Sequence, residues 1–350
     1  MSNRMQLFTI LFLVFVITSV SLAGDNSWSS KLPKQDGDIK IRVVMVEDED
    51  EDPAAAGKAV AEKLQKAMGD TPLKAVLVSE CFEDREYKEE LLDGIVSVLP
   101  KQIVLGGATY GSFTHEGCTD FDAVCLMGIG GDGIGVTATL VPELGTSKLT
   151  LENDETAIRD KLHAAGAKLV GDLRKADADQ LLILMADAHS PKNRFLVEGA
   201  QKVVGTKFPI TGGSANKNAG QTFIYFNGEL HPDAAVALML SGEFEVALTG
   251  RKAQDNDAVI ATAQDGAAEA SKNAKGKPIA VMAFNCAGRR GKLNRYEDEL
   301  VSIQKAIGEE VPLFGCYCAG EIGPVDPAEK VPGVLCGGSG WHVMFTVISR

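Results

Sequence analysis

A strand–helix–strand pattern that occurs three times constrains the fold of this chain most strongly. Each copy is an apolar strand run ending in a small polar residue, then a helical pattern, then a second strand run ending in glycine. The first strands are AVLVS at 75–79, LLILMAD at 181–187 and IAVMAFN at 279–285, and the second strands are QIVLGG at 102–107, FPITGGSA at 208–215 and VPLFGCYCAG at 311–320. Further strand patterns follow each copy. The repeat predicts an α/β fold with mixed sheets, added antiparallel strands and helices packed on the sheets.

The repeat also predicts where a ligand would bind. In a right-handed strand–helix–strand unit the two strands are parallel, so their carboxyl ends lie at one edge of the sheet. Ligands of open α/β sheets bind just beyond that edge, and glycine allows a close backbone approach there. The residues expected to meet at this edge are Ser79 with Gly106 and Gly107, Asp187 with Gly212 and Gly213, and Asn285 with Gly315.

The N-terminus has the layout of a secretory signal peptide. Arg4 provides a basic start, Leu7 to Val20 is largely apolar, and Ser21-Leu22-Ala23 supplies small residues where a signal peptidase cleaves. A membrane anchor is the alternative, although the apolar run is shorter than the ~20 residues of a spanning helix. We expect cleavage after Ala23, export to the periplasm or the outside, and a flexible leader at 24–38.

Composition narrows the possible partners and the role of the cysteines. The 350 residues carry a formal net charge of −13, which argues against nucleic acid as a partner. Seven cysteines are too few for a disulfide scaffold in a chain of this length, and their odd number leaves at least one without an internal partner. Cys125 lies in the apolar run FDAVCLM and is expected to be buried.

Two short runs imitate ion or phosphate sites. Glu47–Asp52 is a run of six carboxylates, but it lacks the glycine and the distal glutamate of a calcium loop. We interpret it as a solvated loop that places negative charge at the start of a helix at 54–68. The glycine-rich run Gly128–Gly135 lacks the Lys-Ser/Thr pair of a phosphate-binding loop, so we expect a hairpin loop there.

Three motifs resemble those of the FIST family (F-box and intracellular signal transduction proteins). They are FNCAGRR at 284–290, GCYCAGEIGP at 315–324 and FPITGGSAN at 208–216. The resemblance covers about residues 40–350 and implies a FIST N-terminal domain at 39–230 and a FIST C-terminal domain at 231–350. It also implies a sensory module for small molecules such as amino acids, with no established catalytic residues. Two features depart from the family pattern: the export signal, and a turn that carries both Cys316 and Cys318.

The residues in these motifs leave several roles open. Cys286 could be a nucleophile activated by Arg289 or Arg290, or a small residue of a pocket wall. Cys316 and Cys318 point to the same face of a strand, where they could be free thiols, form a disulfide or, with Cys336 and His342, hold zinc. Glu321 could accept a ligand ammonium or hold the amides of its own turn.

These observations together predict an exported, stand-alone protein that binds a small ligand for sensing or capture. The expected ligand is an amino acid or a similar zwitterion, held between Arg289 and Glu321 beside Cys286. No cofactor, metal or catalytic residue is expected, and the expected partner is a membrane-bound signalling protein. The alternative function is a thiol-dependent hydrolase or transferase that uses Cys286. A secreted protein without a small ligand is a third interpretation.

Overall fold

Three units of one design make up most of the chain in the computed structural model, which describes residues 21–22, 26–119, 121–218 and 220–350. Two short strands precede them: β1 (Ser21–Leu22) and β2 (Ser27–Ser29). Unit 1 contains β3 (Lys40–Glu47), α1 (Pro53–Met68), β4 (Leu73–Glu80), α2 (Arg85–Val96), β5 (Val104–Ala108), β6 (Ser112–Thr114), β7 (Gly117–Cys118) and β8 (Ala123–Gly130).

Units 2 and 3 repeat this order with longer insertions. Unit 2 contains β9 (Ile134–Val141), α3 (Leu151–Gly171), β10 (Asp179–Ala186), α4 (Asn193–Val204), β11 (Ile210–Ser214), β12 (Lys217–Asn218), β13 (Gln221–Phe226), β14 (Glu229–Pro232) and β15 (Ala235–Gly242). Unit 3 contains β16 (Glu245–Lys252), α5 (Asn256–Asn273), β17 (Pro278–Cys286), α6 (Ala287–Arg290), α7 (Tyr296–Ile307), β18 (Leu313–Cys318), β19 (Glu321–Gly323), β20 (Gly337–Ser339) and β21 (His342–Ser349).

Each unit forms its own mixed sheet, in which the last strand of the unit lies between the first and the second. The orders are β3-β8-β4-β5, β9-β15-β10-β11 and β16-β21-β17-β18. In chain order, the second and third strands of each unit are joined through a helix and are parallel neighbours in the sheet: β4 with β5, β10 with β11, and β17 with β18. The α/β fold with mixed sheets and packed helices is therefore confirmed.

The three sheets are joined in a cycle by exchanged strands. In each unit the segment between the third and the last strand is here called the insertion, and it comprises residues 109–122, 215–234 and 319–341. The insertion of unit 2 contains β13, which pairs with β5 of unit 1. The insertion of unit 3 contains β19, which pairs with β11 of unit 2. The insertion of unit 1 completes the cycle, because β6 pairs with β18 of unit 3. Every sheet thus contains a strand from another unit. The boundary predicted between residues 230 and 231 falls inside β14.

One central core lies between the sheets, and helices cover their outer faces. The central cluster of buried apolar side chains includes Leu77, Ile183 and Met282, one from each sheet. Separate outer clusters form against α1 and α2, against α3 and α4, and against α5 and α7. This arrangement fixes the carboxyl ends of the strands, which carry the candidate site.

The acidic run before α1 has the predicted capping role. Asp52 accepts a hydrogen bond from the amide of Ala55 at 2.9 Å, and Pro53 occupies the first helical position. A carboxylate at this place satisfies a helix amide that has no partner within the helix.

Four local expectations need correction. The leader is partly ordered: β2 pairs with β9 and buries the Trp28 ring, which is 2% exposed, because a large apolar ring gains more from the core than from water. The pair Ser190-Pro191 predicts a helix with Ser190 as its cap and Pro191 at its first position, but α4 begins at Asn193. The run Gly128–Gly135 joins two different sheets and is no hairpin. The pair Asn227-Gly228 predicts a hairpin between the strand patterns Thr222–Phe226 and Ala234–Leu240, but the turn joins β13 to β14 rather than to β15.

The structure leaves the N-terminal export signal untested. The proposed signal peptide, residues 1–23, lies outside the described residues apart from the backbone of β1. Among the described residues, no helix is long and apolar enough to cross a membrane.

Candidate functional site

The second strands of the three units, β4, β10 and β17, end at corresponding places. Their registers pair Val78 with Gly106, Leu184 with Gly212, and Ala283 with Gly315. By the same registers, Cys81, Asp187 and Cys286 are equivalent and lie where the three strands end. Ser79 and Asn285 are therefore not equivalent to Asp187, because the connections between paired strands differ in length.

The predicted glycines are buried within the sheets. A Cβ atom on Gly106 or Gly212 would lie 2.1 or 1.8 Å from the carbonyl oxygen of the neighbouring strand. A Cβ atom on Gly107, Gly213 or Gly315 would lie 3.2, 2.4 or 2.1 Å from a packed side chain. Close strand packing thus explains these glycines without a ligand.

Ser79 is also buried, in a small cluster of hydroxyl groups. Its Oγ atom lies 2.9 Å from Thr109 Oγ1 and 2.8 Å from Ser112 Oγ. Because each hydroxyl finds a partner within the protein, this cluster links β4 to the insertion of unit 1.

Asn285 and Arg289 form a buried network on the helix side of the third sheet. Arg289 donates to Asn285 Oδ1 through Nε and to Glu299 Oε1 through Nη2, both at 2.9 Å. Its remaining bonds go to Thr262 Oγ1 and the carbonyl of Val259. Four of the five guanidinium N–H groups are therefore used inside the protein. These contacts give Arg289 a structural role in joining β17, α5 and α7.

Arg290 is surrounded by aromatic rings. Its guanidinium carbon lies 4.3 Å from the ring centroid of Tyr296, 5.1 Å from that of Tyr110, and 5.5 Å from those of Phe121 and Tyr317. Nη1 also donates to the carbonyl of Tyr110 at 2.5 Å. Cation–π contacts of this kind hold the charge and the rings in one arrangement.

Glu321 and Cys286 form a buried acidic pair. Glu321 Oε2 accepts a hydrogen bond from the amide of His342 at 2.9 Å, and burial raises the pKa of Glu321 to about 8. Burial and the nearby Glu321 raise the pKa of Cys286 to about 12. The thiol is therefore protonated at neutral pH. Of the two roles left open for Cys286, activation as a nucleophile by Arg289 or Arg290 is therefore not supported.

Cys316 and Cys318 point to the same face of β18, as predicted. Their sulfur atoms lie 3.6 Å apart and both side chains are fully buried. All seven cysteines are free thiols in the structure. Among the described residues, no group of three or more His, Cys, Asp or Glu side chains is arranged to hold a metal.

Asp187, in contrast, lines an open cavity of about 260 Å³, here called the Asp187 cavity. Its carboxylate accepts hydrogen bonds from the Thr222 hydroxyl and the Asp233 amide, and its Oδ1 atom lies 3.9 Å from His189 Nε2. The remaining walls come from the cap residue before α4, the insertion of unit 2 and the loop before α3, and are formed by Thr146, Ser147, Lys192, Lys217, Gly220, Gln221 and Pro232.

Side chains of opposite charge line the Asp187 cavity. Burial raises the pKa of Asp187, the neighbouring His189 lowers it, and Asp233 raises it. Burial lowers the pKa of His189, Asp187 raises it, and both Lys192 and Lys217 lower it. The cavity therefore contains two acids, Asp187 and Asp233, and two lysines, Lys192 and Lys217. A ligand that carries both charges would complement it.

A second cavity, of about 290 Å³, lies at the equivalent end of β4 and is here called the Tyr110 cavity. Cys81 and Phe82 line it from the strand end, together with Glu83, Tyr110, Phe121, Asp122, Asn216, Lys217 and Asn218. Lys217 thus lines both cavities. At the third equivalent position, the Trp341 ring packs on Gly288: a Cβ there would lie 3.0 Å from the ring.

Family comparison agrees with the motifs. The profile of the FIST N domain matches residues 74–266 and that of the FIST C domain matches residues 225–324. The chain belongs to the FIST family. FIST domains are associated with signal transduction and small-ligand sensing.

Comparisons with individual proteins add little about activity. No curated protein matches the sequence. Among solved structures, the chain is similar to cyanuric acid hydrolase from A. caulinodans, with 9% identity and a TM-score of 0.43 over 89% of this chain and 100% of that chain. A likeness this distant transfers no activity.

Sequence reasoning named Asp187 but missed the residues around it. His189 follows Asp187 by two positions at the end of a strand, and that short spacing was the available signal. Thr222, Asp233 and Lys217 come from a distant insertion, which no local pattern connects to β10.

Proposed function

We propose that this FIST protein is a sensory or capture protein that binds a small zwitterion, such as an amino acid, in the Asp187 cavity. The observation that carries the proposal is the presence of both acidic and basic side chains in one cavity at the carboxyl end of a strand. Ligands of open α/β sheets bind at this kind of edge. The family association with small-ligand sensing supports the same function.

The acidic and basic side chains of the cavity suit the two charges of an amino acid. The ligand ammonium donates to Asp187, with Asp233 adding negative charge nearby. The ligand carboxylate lies towards Lys217 and Lys192. Lys192 Nζ is already oriented by the carbonyls of Thr146 and Leu149, at 2.9 and 2.7 Å. Each charge-assisted hydrogen bond contributes roughly 1.5–3 kcal/mol when it is shielded from water.

This placement differs from the expected clamp of Arg289 and Glu321. Both of those side chains are buried, and their described contacts are with the protein itself. The alternative of a thiol enzyme receives no support from Cys286, because its raised pKa leaves little of the reactive thiolate.

A thermal-shift screen of amino acids, organic acids and amines tests the proposal. At about a hundred times its dissociation constant, a ligand stabilises the fold by ~2.7 kcal/mol, an upward shift of several degrees. Asp187→Asn should abolish the shift of a zwitterionic ligand, and Lys217→Gln should reduce it. The exposed substitution Asp160→Asn on α3 is the matched control.

Three outcomes of that screen separate the possible sites. A shift lost in Asp187→Asn and kept in Glu321→Gln supports the Asp187 cavity. A shift lost in Glu321→Gln but kept in Asp187→Asn would restore the clamp predicted from sequence. The absence of any zwitterion that stabilises the wild type would contradict a sensory function for this ligand class.

The pH dependence of binding gives a second test. Because burial raises the pKa of Asp187, acidification protonates this carboxyl group before an ordinary aspartate. We expect the affinity for a zwitterion to fall as the pH is lowered through that range and to be flat around neutrality. Titration calorimetry between pH 7 and pH 4 measures it, and an affinity that does not change would argue against a contact with Asp187.

We also propose that the protein is exported and that its signal reaches a membrane-bound partner. The layout of residues 1–23 supports cleavage after Ala23. The intact mass of protein from the native envelope should then correspond to a chain that begins at Gly24. A mass that retains residues 1–23 would favour a membrane anchor instead.

A further inference from the structure

The Tyr110 cavity is built differently from the Asp187 cavity, although the two occupy equivalent positions in their units. Its strand-end residue is Cys81, where unit 2 has Asp187. Tyr110 and Phe121 contribute aromatic rings to its wall, whereas Thr222 and His189 line the Asp187 cavity. Its volume of about 290 Å³ lies at the small end of the range of ligand pockets. A ligand here would thus be small and would contact rings rather than hydroxyl groups.

The aromatic wall is held in place from behind. The rings of Tyr110 and Phe121 meet edge to face, with centroids 5.5 Å apart and an interplanar angle of 83°. Buried Arg290 packs against both rings and donates to the Tyr110 carbonyl. Phe121 nevertheless keeps 52% of its surface exposed. The wall is therefore a fixed aromatic surface that is still open to a ligand.

Carboxylates form the rim beside this wall. Among the described residues, no lysine or arginine nitrogen lies within 4.0 Å of the carboxylates of Glu83 or Asp122. Asp122 is fixed by its backbone, which donates to the Cys81 carbonyl at 2.9 Å and accepts from the Asp48 amide at 2.7 Å. Asp48, Glu51 and Glu83 all raise the pKa of Asp122, after partial burial as the main cause. The acidic loop before α1 thus adds to a negative field at the rim.

The opposite wall comes from another unit and is also fixed. Asn218 donates to the carbonyls of Phe82 and Thr109 at 3.0 and 3.3 Å. Asn216 donates to Asn218 Oδ1 at 2.8 Å. The insertion of unit 2 therefore closes the cavity onto unit 1, and Lys217 is the one cationic side chain among the described residues that line it.

We propose that the Tyr110 cavity binds a small organic cation, whose ammonium group lies against Tyr110 and Phe121 and is balanced by Glu83 and Asp122. Aromatic faces next to carboxylates recognise alkylammonium groups, because the ring quadrupole and the negative charges attract the same cation. This site does not depend on the function proposed for the Asp187 cavity.

Titration calorimetry with choline tests the proposal, and 3,3-dimethylbutan-1-ol serves as its uncharged isostere. Choline should bind saturably, with an affinity at least tenfold above that of the alcohol, and putrescine reports whether a primary amine is accepted as well. Phe121→Ala should weaken choline binding between about two- and thirtyfold, the range expected for one cation–π contact. Tyr87→Ala, at an exposed ring on α2, is the matched control.

Two further variants address charge. Asp122→Asn should weaken choline binding, and asparagine tolerates the positive φ of 51° at this position. Lys217→Gln should strengthen choline binding, because it removes a positive charge, whereas the same change weakens zwitterion binding in the Asp187 cavity. Asp187→Asn should leave choline binding unchanged.

Three results would each overturn the proposed site. The folded wild type would show no saturable choline binding, it would bind the uncharged alcohol as tightly as choline, or Phe121→Ala would bind choline with undiminished affinity. Circular dichroism of each variant confirms that a loss of binding is not a loss of fold.

Discussion

The fold shields the carboxyl groups of both Asp187 and Glu321 from water, but their surroundings differ. Asp187 faces a cavity, and two neighbours donate hydrogen bonds to its charged form. Glu321 is enclosed beside Cys286, and among the described residues its Oε1 atom has no hydrogen-bond partner that would compensate for the loss of water. One carboxylate is therefore prepared for a ligand charge, whereas the other favours its neutral form.

The enclosed Glu321 predicts a dependence of stability on pH. Its pKa rises from 4.5 to about 8 on folding, so the folded state retains a proton that the unfolded state loses. The stability of the wild type should fall as the pH rises from 5 to 8, by on the order of 3 kcal/mol relative to Glu321→Gln. Glutamine keeps an acceptor for the His342 amide but does not ionise.

Urea unfolding at pH 5, 6, 7 and 8 measures this difference. Glu243→Gln, at an exposed position between β15 and β16, is the control and should follow the wild type. Parallel stability curves for the wild type and Glu321→Gln would show that Glu321 is not held in its neutral form.

At the scale of elements, exchanged strands carry the contacts between units, and a buried ion network anchors one of these strands, β13. Lys88 on α2 donates to both carboxylate oxygens of Glu80 at 3.0 Å, and the Tyr225 hydroxyl on β13 donates to the same carboxylate. All three side chains are fully buried. This network ties a strand of unit 2 to the sheet and helix of unit 1.

Removal of one member of this network should be costly. Lys88→Met leaves Glu80 buried without its cation and should destabilise the fold by about 3–5 kcal/mol. The double variant Glu80→Gln/Lys88→Met should recover much of that loss, because no buried charge remains. Chemical denaturation measures both variants.

The exposed Arg85–Glu89 pair on the same helix provides the comparison. Arg85 Nε lies 2.7 Å from Glu89 Oε1, and both side chains are exposed to solvent. Arg85→Met should therefore lower the free energy of unfolding by only about 0–1 kcal/mol. A loss in Lys88→Met no larger than that in Arg85→Met would mean that the buried network does not anchor the exchanged strand.

At the scale of the whole molecule, the threefold repeat was predictable from sequence, and so were the parallel strand pairs. Both depend on local periodicity, which apolar runs such as AVLVS and LLILMAD display directly. The cyclic strand exchange was not predictable, because β6, β13 and β19 pair with strands that are far away in sequence. The burial of Trp28 depends on a distant edge strand in the same way.

The candidate site was predictable only in part for the same reason. The polar residues and glycines that end the strand runs located the carboxyl edge, but they misaligned Ser79 and Asn285 because connection lengths vary between units. They named Asp187 and could not foresee that Thr222 and Asp233 would be folded back onto it. Glycine pairs were read as ligand contacts, whereas in the structure close packing between strands requires them.

A structure of the protein with the strongest zwitterionic ligand of the screen would test the function of the Asp187 cavity most directly. The predicted result is one ligand in that cavity, with its ammonium nitrogen within hydrogen-bond distance of the Asp187 carboxylate and its carboxylate towards Lys217. A ligand bound between Arg289 and Glu321, in the Tyr110 cavity or anywhere else, with the Asp187 cavity empty, would contradict the proposed function.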